Sequence, residues 1–236
     1  MRRLAGAIGV GTAGFIALHE LGRRWGATSD EVRGPMVGDG IVPHPRGQTT
    51  HAITIDATAE DVWPWLVQMG YHRAGWYTYS WVDRYLWHID NPSAARIIAE
   101  LQDLSVGDIV PDGEPGTAFY RVVVLDAPRT LVLHSTSHVP QPLRGRMTVD
   151  WTWAYELRPL DPTTTRLVLR VRATFEPWWV RLLYDGMIVP SDFIMARSML
   201  RGIARRAEDL LSRADLDDDA RRTHVKAGNT WHGDVG

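Results

Sequence analysis

The sequence predicts an α+β domain in which an antiparallel sheet lies against one long helix. Two patterns carry that prediction. Trp151, Trp153, Tyr155 and Leu157 alternate with polar neighbours such as Glu156 and Arg158. Leu167, Leu169, Val171 and Ala173 alternate in the same way with Arg166, Arg170 and Arg172. A period of two with one apolar face is the signature of an antiparallel sheet wet on one side. Farther on, Phe193, Ala196, Leu200, Ile203, Ala207 and Leu210 recur every three or four residues against Arg197, Arg201, Arg205 and Glu208. That helix is expected to lay its apolar stripe on the apolar face of the sheet.

The elements follow in order. Leu4 to Leu18 is an uncharged, mostly apolar run behind Arg2 and Arg3, shorter than the roughly 20 residues of a membrane span. No small-residue cleavage site follows it. Residues 1–24 are therefore expected to form an N-terminal apolar helix, read either as an uncleaved membrane anchor or as a helix docked on the domain. Arg2 and Arg3 are balanced by Arg23 and Arg24, so the orientation of an anchor is unreadable. Without an anchor the expected location is cytoplasmic. Gly9, Gly11 and Gly14 have GxGxxG spacing, but no strand precedes them and no βαβ alternation follows, which removes the context that a nucleotide site requires.

Residues 25–48, rich in Gly, Pro and charge, read as an extended linker. The domain is expected over 49–213. It opens with a strand at Thr49–Ile55 and a helix at Ala59–Met69 that places Val62, Trp63, Leu66 and Met69 on one side, closed by Gly70. A short helix at Ser93–Leu101 and a short strand at Val106–Pro111 come next. Two hairpins follow, Thr117–Leu125 with Thr130–Thr136 across DAPR, and Asp150–Arg158 with Thr165–Phe175 across LDPTT. Trp178–Val189 begins the final helical stretch, Pro190 interrupts it, and Ser191 or Asp192 caps a second segment running to Arg213. Residues 214–236 are polar and aperiodic and are expected to be disordered.

Composition excludes several classes. The 236 residues, 44% hydrophobic and 23% charged, suffice for one well-filled domain and not two. A net charge of −2 gives no nucleic-acid signature. The chain has no cysteine, which removes disulfides, thiolate ligands and a Cys nucleophile. GxSxG, HExxH, P-loop and EF-hand patterns are absent. His134 and His138 lie four apart on a strand-to-loop path with no third ligand, so no metal is expected, and no cofactor is expected either. The 11 tryptophans are well above ordinary usage. They and the tyrosines are densest in Gln68–Asp83, QMGYHRAGWYTYSWVD, where Arg73 and Asp83 are the only formal charges.

The order of elements is that of a helix-grip fold, and the chain resembles the START-like, polyketide cyclase/dehydrase-type (SRPBCC) superfamily. More narrowly it resembles an uncharacterised actinobacterial branch. The likeness rests on HAITIDA (His51–Ala57), VWPWLVQMG (Val62–Gly70), RAGWYTY (Arg73–Tyr79), ELQDLSVGD (Glu100–Asp108), TWAYEL (Thr152–Leu157) and MLRGIARRAE (Met199–Glu208). It spans about Trp25 to Arg213. Where the branch has an acidic residue after the second Tyr, this chain has Ser80. The resemblance implies a curved antiparallel sheet wrapped on the long C-terminal helix, with a cavity between them that holds a lipid or other hydrophobic molecule. Only some members of the superfamily catalyse a reaction, so fold alone does not decide activity.

Within that frame Trp76, Tyr77, Tyr79 and Trp81 are candidate walls of the cavity, where flat rings stack, and Trp153 and Tyr155 are candidates for its floor. Core packing is the competing role for each. Arg73 and Asp83 are read as an ion pair fixing the loop, or as a means of orienting a polar ligand end. Arg121 and His134 lie on strands of ambiguous phase. Either anchors a ligand's polar group if it faces inward, and otherwise faces solvent. Three function classes follow. One is a binder, transporter or sequestering protein for a hydrophobic small molecule or lipid, non-catalytic. Another is a cyclase/dehydratase-type enzyme whose acid and base come from Asp83, His134 and Tyr155. The last is an interaction domain whose cavity is filled by its own aromatics.

Overall fold

A computed structural model describes residues 19–78 and 93–228. Leu4–Leu18 lies outside the described residues, as do the predicted site residues Tyr79, Trp81 and Asp83. Among the described residues no helix is long and apolar enough to cross a membrane.

Six strands form one antiparallel sheet: β1 (Gly47–Ile55), β2 (Ile109–Pro111), β3 (Phe119–Asp126), β4 (Thr130–Ser135), β5 (Thr148–Asp161) and β6 (Thr164–Glu176), in the spatial order β1-β6-β5-β4-β3-β2. Consecutive strands from β2 to β6 are neighbours, and β1 closes onto β6. Bulges between Val122 and Val124 and between Pro159 and Asp161 bend the sheet. The helices are α1 (Ser29–Arg33), α2 (Ala59–Val67), α3 (Val180–Leu183) and α4 (Val189–Gly228). A 3₁₀ turn, Ala99–Leu101, stands where a longer helix is expected from Ser93. The sheet grips α4, and this is the helix-grip arrangement.

Thr58 caps α2 by accepting from the Asp61 amide. The face that α2 buries contains Val62, Trp65, Leu66 and Met69. Trp65 takes the place expected of Trp63, which is only half buried. Pro190 does not interrupt the C-terminal helix: a π-helical turn, Tyr184–Ile188, joins α3 to α4 directly ahead of it. Pro190 thus falls where the π turn gives way to α-helix, a place where the regular hydrogen-bond ladder already changes register. The helix continues past Arg213 to Gly228.

The arginine-bearing face of the sheet is not simply wet. Met36, Ala52, Val132, Ala154 and Val168 form a second apolar cluster on it, with Ala27 and Ile41 packed alongside. The chain from Gly26 to Arg46, expected to be a linker, thus lies across this outer face. Arg170, only 2% exposed, fastens it. Its guanidinium donates to the carbonyls of Gly34 (3.0 Å), Val32 (3.3 Å) and Glu31, to Asp39 (2.7 Å) and to Thr50 Oγ1 (3.3 Å). Arg166 binds Glu31 at 2.8 and 2.9 Å and the Gly26 carbonyl at 2.6 Å. The Ala52 amide donates to Trp25 O on the same side.

Two outcomes follow from these contacts. Arg170→Met removes donors from buried carbonyls, so unfolding in urea should show a loss of about 3 kcal/mol. Glu31 is held down from an ordinary 4.5 to about 2, first by its hydrogen bond from Arg166 and against the opposing effect of burial. A carboxyl depressed in the folded state stabilises fully above pH 4.5 and loses that contribution as pH falls toward 2. Acid unfolding curves of Glu31→Gln should therefore be flatter than wild type across that window.

Candidate functional site

The inner face of the sheet can be read off its register. One row across the strands is Ala173, Trp151, Ser135 and Tyr120. The next is Thr49, Val171, Trp153, Leu133 and Val122, and the third is His51, Leu169, Tyr155 and Leu131. Above these rows α4 contributes Asp192, Ala196, Met199 and Ile203, all buried.

Aromatic rings meet at the centre. Trp76 lies edge-on to Trp153 (5.6 Å between centroids, 68°) and to Tyr120 (6.0 Å, 72°). Tyr120 and Trp153 are 5.3 Å apart, and Trp153 meets Tyr155 at 6.3 Å. Among the described residues the buried indole N–H groups of Trp65, Trp76, Trp151 and Trp153 have no hydrogen-bond partner. Buried indoles ordinarily find an acceptor. Among the described residues, the Tyr155 hydroxyl donates to Met199 Sδ alone, at 3.5 Å, a weak acceptor. Burial first, then the carboxylate of Asp112, pushes the Tyr120 and Tyr155 phenols well above 10. Both phenols are therefore neutral donors at any physiological pH.

Two histidine–carboxylate groups flank these rings. At one side Asp112 Oδ2 lies 2.8 Å from His138 Nε2, and His138 Nδ1 lies 2.7 Å from Ser135 Oγ. With the ring proton on Nε2, directed at the carboxylate, Nδ1 accepts from the serine hydroxyl. His138 packs against Tyr120 (4.6 Å) and Trp151 (5.5 Å). Ser135 also contacts Ser137 Oγ at 3.0 Å, and Ser137 lines an open groove of about 330 Å³ with Thr136, Val139 and Arg144. At the other side, in the first turn of α4, Asp192 Oδ2 accepts from Thr49 Oγ1 at 2.9 Å. The fully buried His51 brings Nε2 to 3.6 Å from the same oxygen.

Trp76, Trp153 and Tyr155 stand together in the aromatic centre. Tyr77 does not. It sits at φ +57°, with its hydroxyl donating to Trp65 O (3.1 Å) and accepting from Gln68 Nε2 (2.8 Å). The Arg206 guanidinium covers its ring at 4.6 Å. A Cβ on Gly202 would come within 2.2 Å of the Tyr77 carbonyl, so the glycine allows this loop to touch α4. Tyr77 is a latch between α2 and α4. Arg73 donates to the carbonyls of Val67 and Met69, each at 2.9 Å, and so caps the end of α2.

His134 and Arg121 are paired with one another across β3 and β4 and face away from the rings. His134 Nε2 meets Asp150 at 2.6 Å, and the exposed Arg121 reaches the Gly107 carbonyl at 2.8 Å. Neither anchors anything inside. His51, Asp192, Asp112 and Ser135 were not singled out from the sequence as site residues. Among the described residues no group of three His, Asp or Glu side chains is placed to hold a metal ion.

No protein-family model and no curated protein matches the chain. Solved structures that match include norcoclaurine synthase from Thalictrum flavum, 16% identical over 73% of this chain and 92% of that one, with a TM-score of 0.41. A hypothetical protein, jhp0584, from Helicobacter pylori is 10% identical over 77% and 98% respectively, TM-score 0.47. CalU16 from Micromonospora echinospora is 17% identical over 70% and 86%, TM-score 0.33. Matches this distant say nothing of substrate or activity.

Tyr77→Phe tests the latch. It leaves Gln68 and the Trp65 carbonyl short of a partner in a buried place, and thermal or urea unfolding should register a loss of about 1 to 3 kcal/mol.

Proposed function

We propose that this chain binds a flat, hydrophobic small molecule between the sheet and α4, against Trp76, Tyr120, Trp153 and Tyr155. The observation that supports this most directly is that the buried indole N–H groups of Trp76, Trp151 and Trp153, around one aromatic centre, have no acceptor among the described residues. A core filled only by its own side chains gains nothing from leaving several donors unmet. An occupant carrying oxygen or nitrogen acceptors satisfies them, and its ring surface meets the faces and edges of the aromatic side chains. The reading fits the START-like resemblance, and the likeness to an actinobacterial branch belongs with it.

A second reading, an enzyme of the cyclase/dehydratase kind, gains support from Asp112, His138 and Ser135. The hydrogen-bonded chain of these three groups can move a proton beside the rings. His134 cannot serve as its base, and Tyr155 can act only as a neutral hydrogen-bond donor.

Native mass spectrometry of the full chain, purified without detergent, tests both readings. A small apolar molecule should travel with the wild-type protein, and Trp153→Ala should weaken its retention by about tenfold. A ligand supplied and recovered at altered mass, with Asp112 and His138 intact, supports the enzyme. Neither a co-purifying nor a titratable ligand leaves the self-filled interaction domain.

A further inference from the structure

We infer that the interior site has a polar end at His51 and Asp192, and that its ligand carries a neutral hydroxyl group on a flat apolar body. The inference rests on the proposed binding function and names the chemistry of the molecule bound. His51 is fully buried, and neither ring nitrogen has a hydrogen-bond partner. A neutral imidazole brings one N–H donor and one acceptor lone pair. A hydroxyl, donor and acceptor in one atom, satisfies either tautomer.

The surrounding groups narrow the choice. Asp192 Oδ2 is committed to Thr49 and lies 3.6 Å from the imidazole, so a ligand carboxylate would set a second carboxyl group beside it in a buried place. A bare hydrocarbon leaves the imidazole as it stands, beside Asp192 but without a hydrogen bond. Asp112, His138 and Ser135 lie at the far side of the rings and already satisfy one another, so they do not compete for this hydroxyl.

Tryptophan-fluorescence titration of the full chain with 2-naphthol, naphthalene and 2-naphthoate reads the preference. Wild type should bind 2-naphthol about tenfold more tightly than naphthalene, and 2-naphthoate more weakly than 2-naphthol. His51→Phe should erase the advantage of 2-naphthol over naphthalene, and Asp192→Asn should narrow the gap to 2-naphthoate. Equal binding of naphthol and naphthalene by wild type overturns the polar end and leaves the binding function standing. Failure of all three probes to bind overturns both. Should His51→Phe not fold, ¹⁵N-histidine spectra of the wild-type chain decide. A histidine ring resonance that moves with 2-naphthol and stays with naphthalene supports the inference, and no movement with either overturns it.

Discussion

The pleat shared by β1, β6 and β5 governs the rest of the molecule. Successive side chains on these strands point to opposite faces, and the antiparallel register carries that sorting from strand to strand. Leu169, Val171, Trp153, Tyr155, Thr49 and His51 all face α4 for this one reason. Arg170, Ala154 and Ala52 face the other way for the same reason. A slip of one residue between β6 and either neighbour would exchange the two sets and bury arginines under the helix. The inner site and the outer fastening are therefore not independent features: one pairing positions both.

The parts legible in the sequence are those in which a local period decides the outcome. The alternation over 150–175 and the three-to-four spacing over 193–210 lead directly to β5, β6 and α4. Residues 119–125 are harder, because Val122, Val123, Val124 and Leu125 are apolar on both faces, and the bulge between Val122 and Val124 shifts the phase within the run. Arg121 and His134 thus had no readable side. The segment from Gly26 to Arg46 lacks any period, and its hold on the sheet comes through arginines more than a hundred residues away. Thr49 and Asp192 are 143 positions apart. No window of sequence contains such a pair, and a capping role is what the local chemistry of Asp192 suggests.

The aromatic segment from Gln68 onward divides in the same way. Its composition marks it as special without saying which ring does what. The antiparallel bridge between Gly70 and Gly75 turns the chain sharply, after which Trp76 and Tyr77 diverge. One enters the ring cluster, and the other is held to Trp65 and Gln68 and lies under Arg206. Adjacent residues in an extended chain would point to opposite sides in any case. The close approach of the Tyr77 carbonyl to α4 depends on the small Gly202, which lies far along the chain.

The sheet is open, with β1 and β2 at its margins, and free margins invite strands of other molecules to pair with them. β2 offers only three residues, too short a template to extend. On β1, the Ala52 amide is taken by the Trp25 carbonyl, where the incoming chain crosses the margin before turning onto the outer face. The stretch that reads as a connector is thereby a guard against edge-to-edge association, and it owes that position to the same arginines that hold it down.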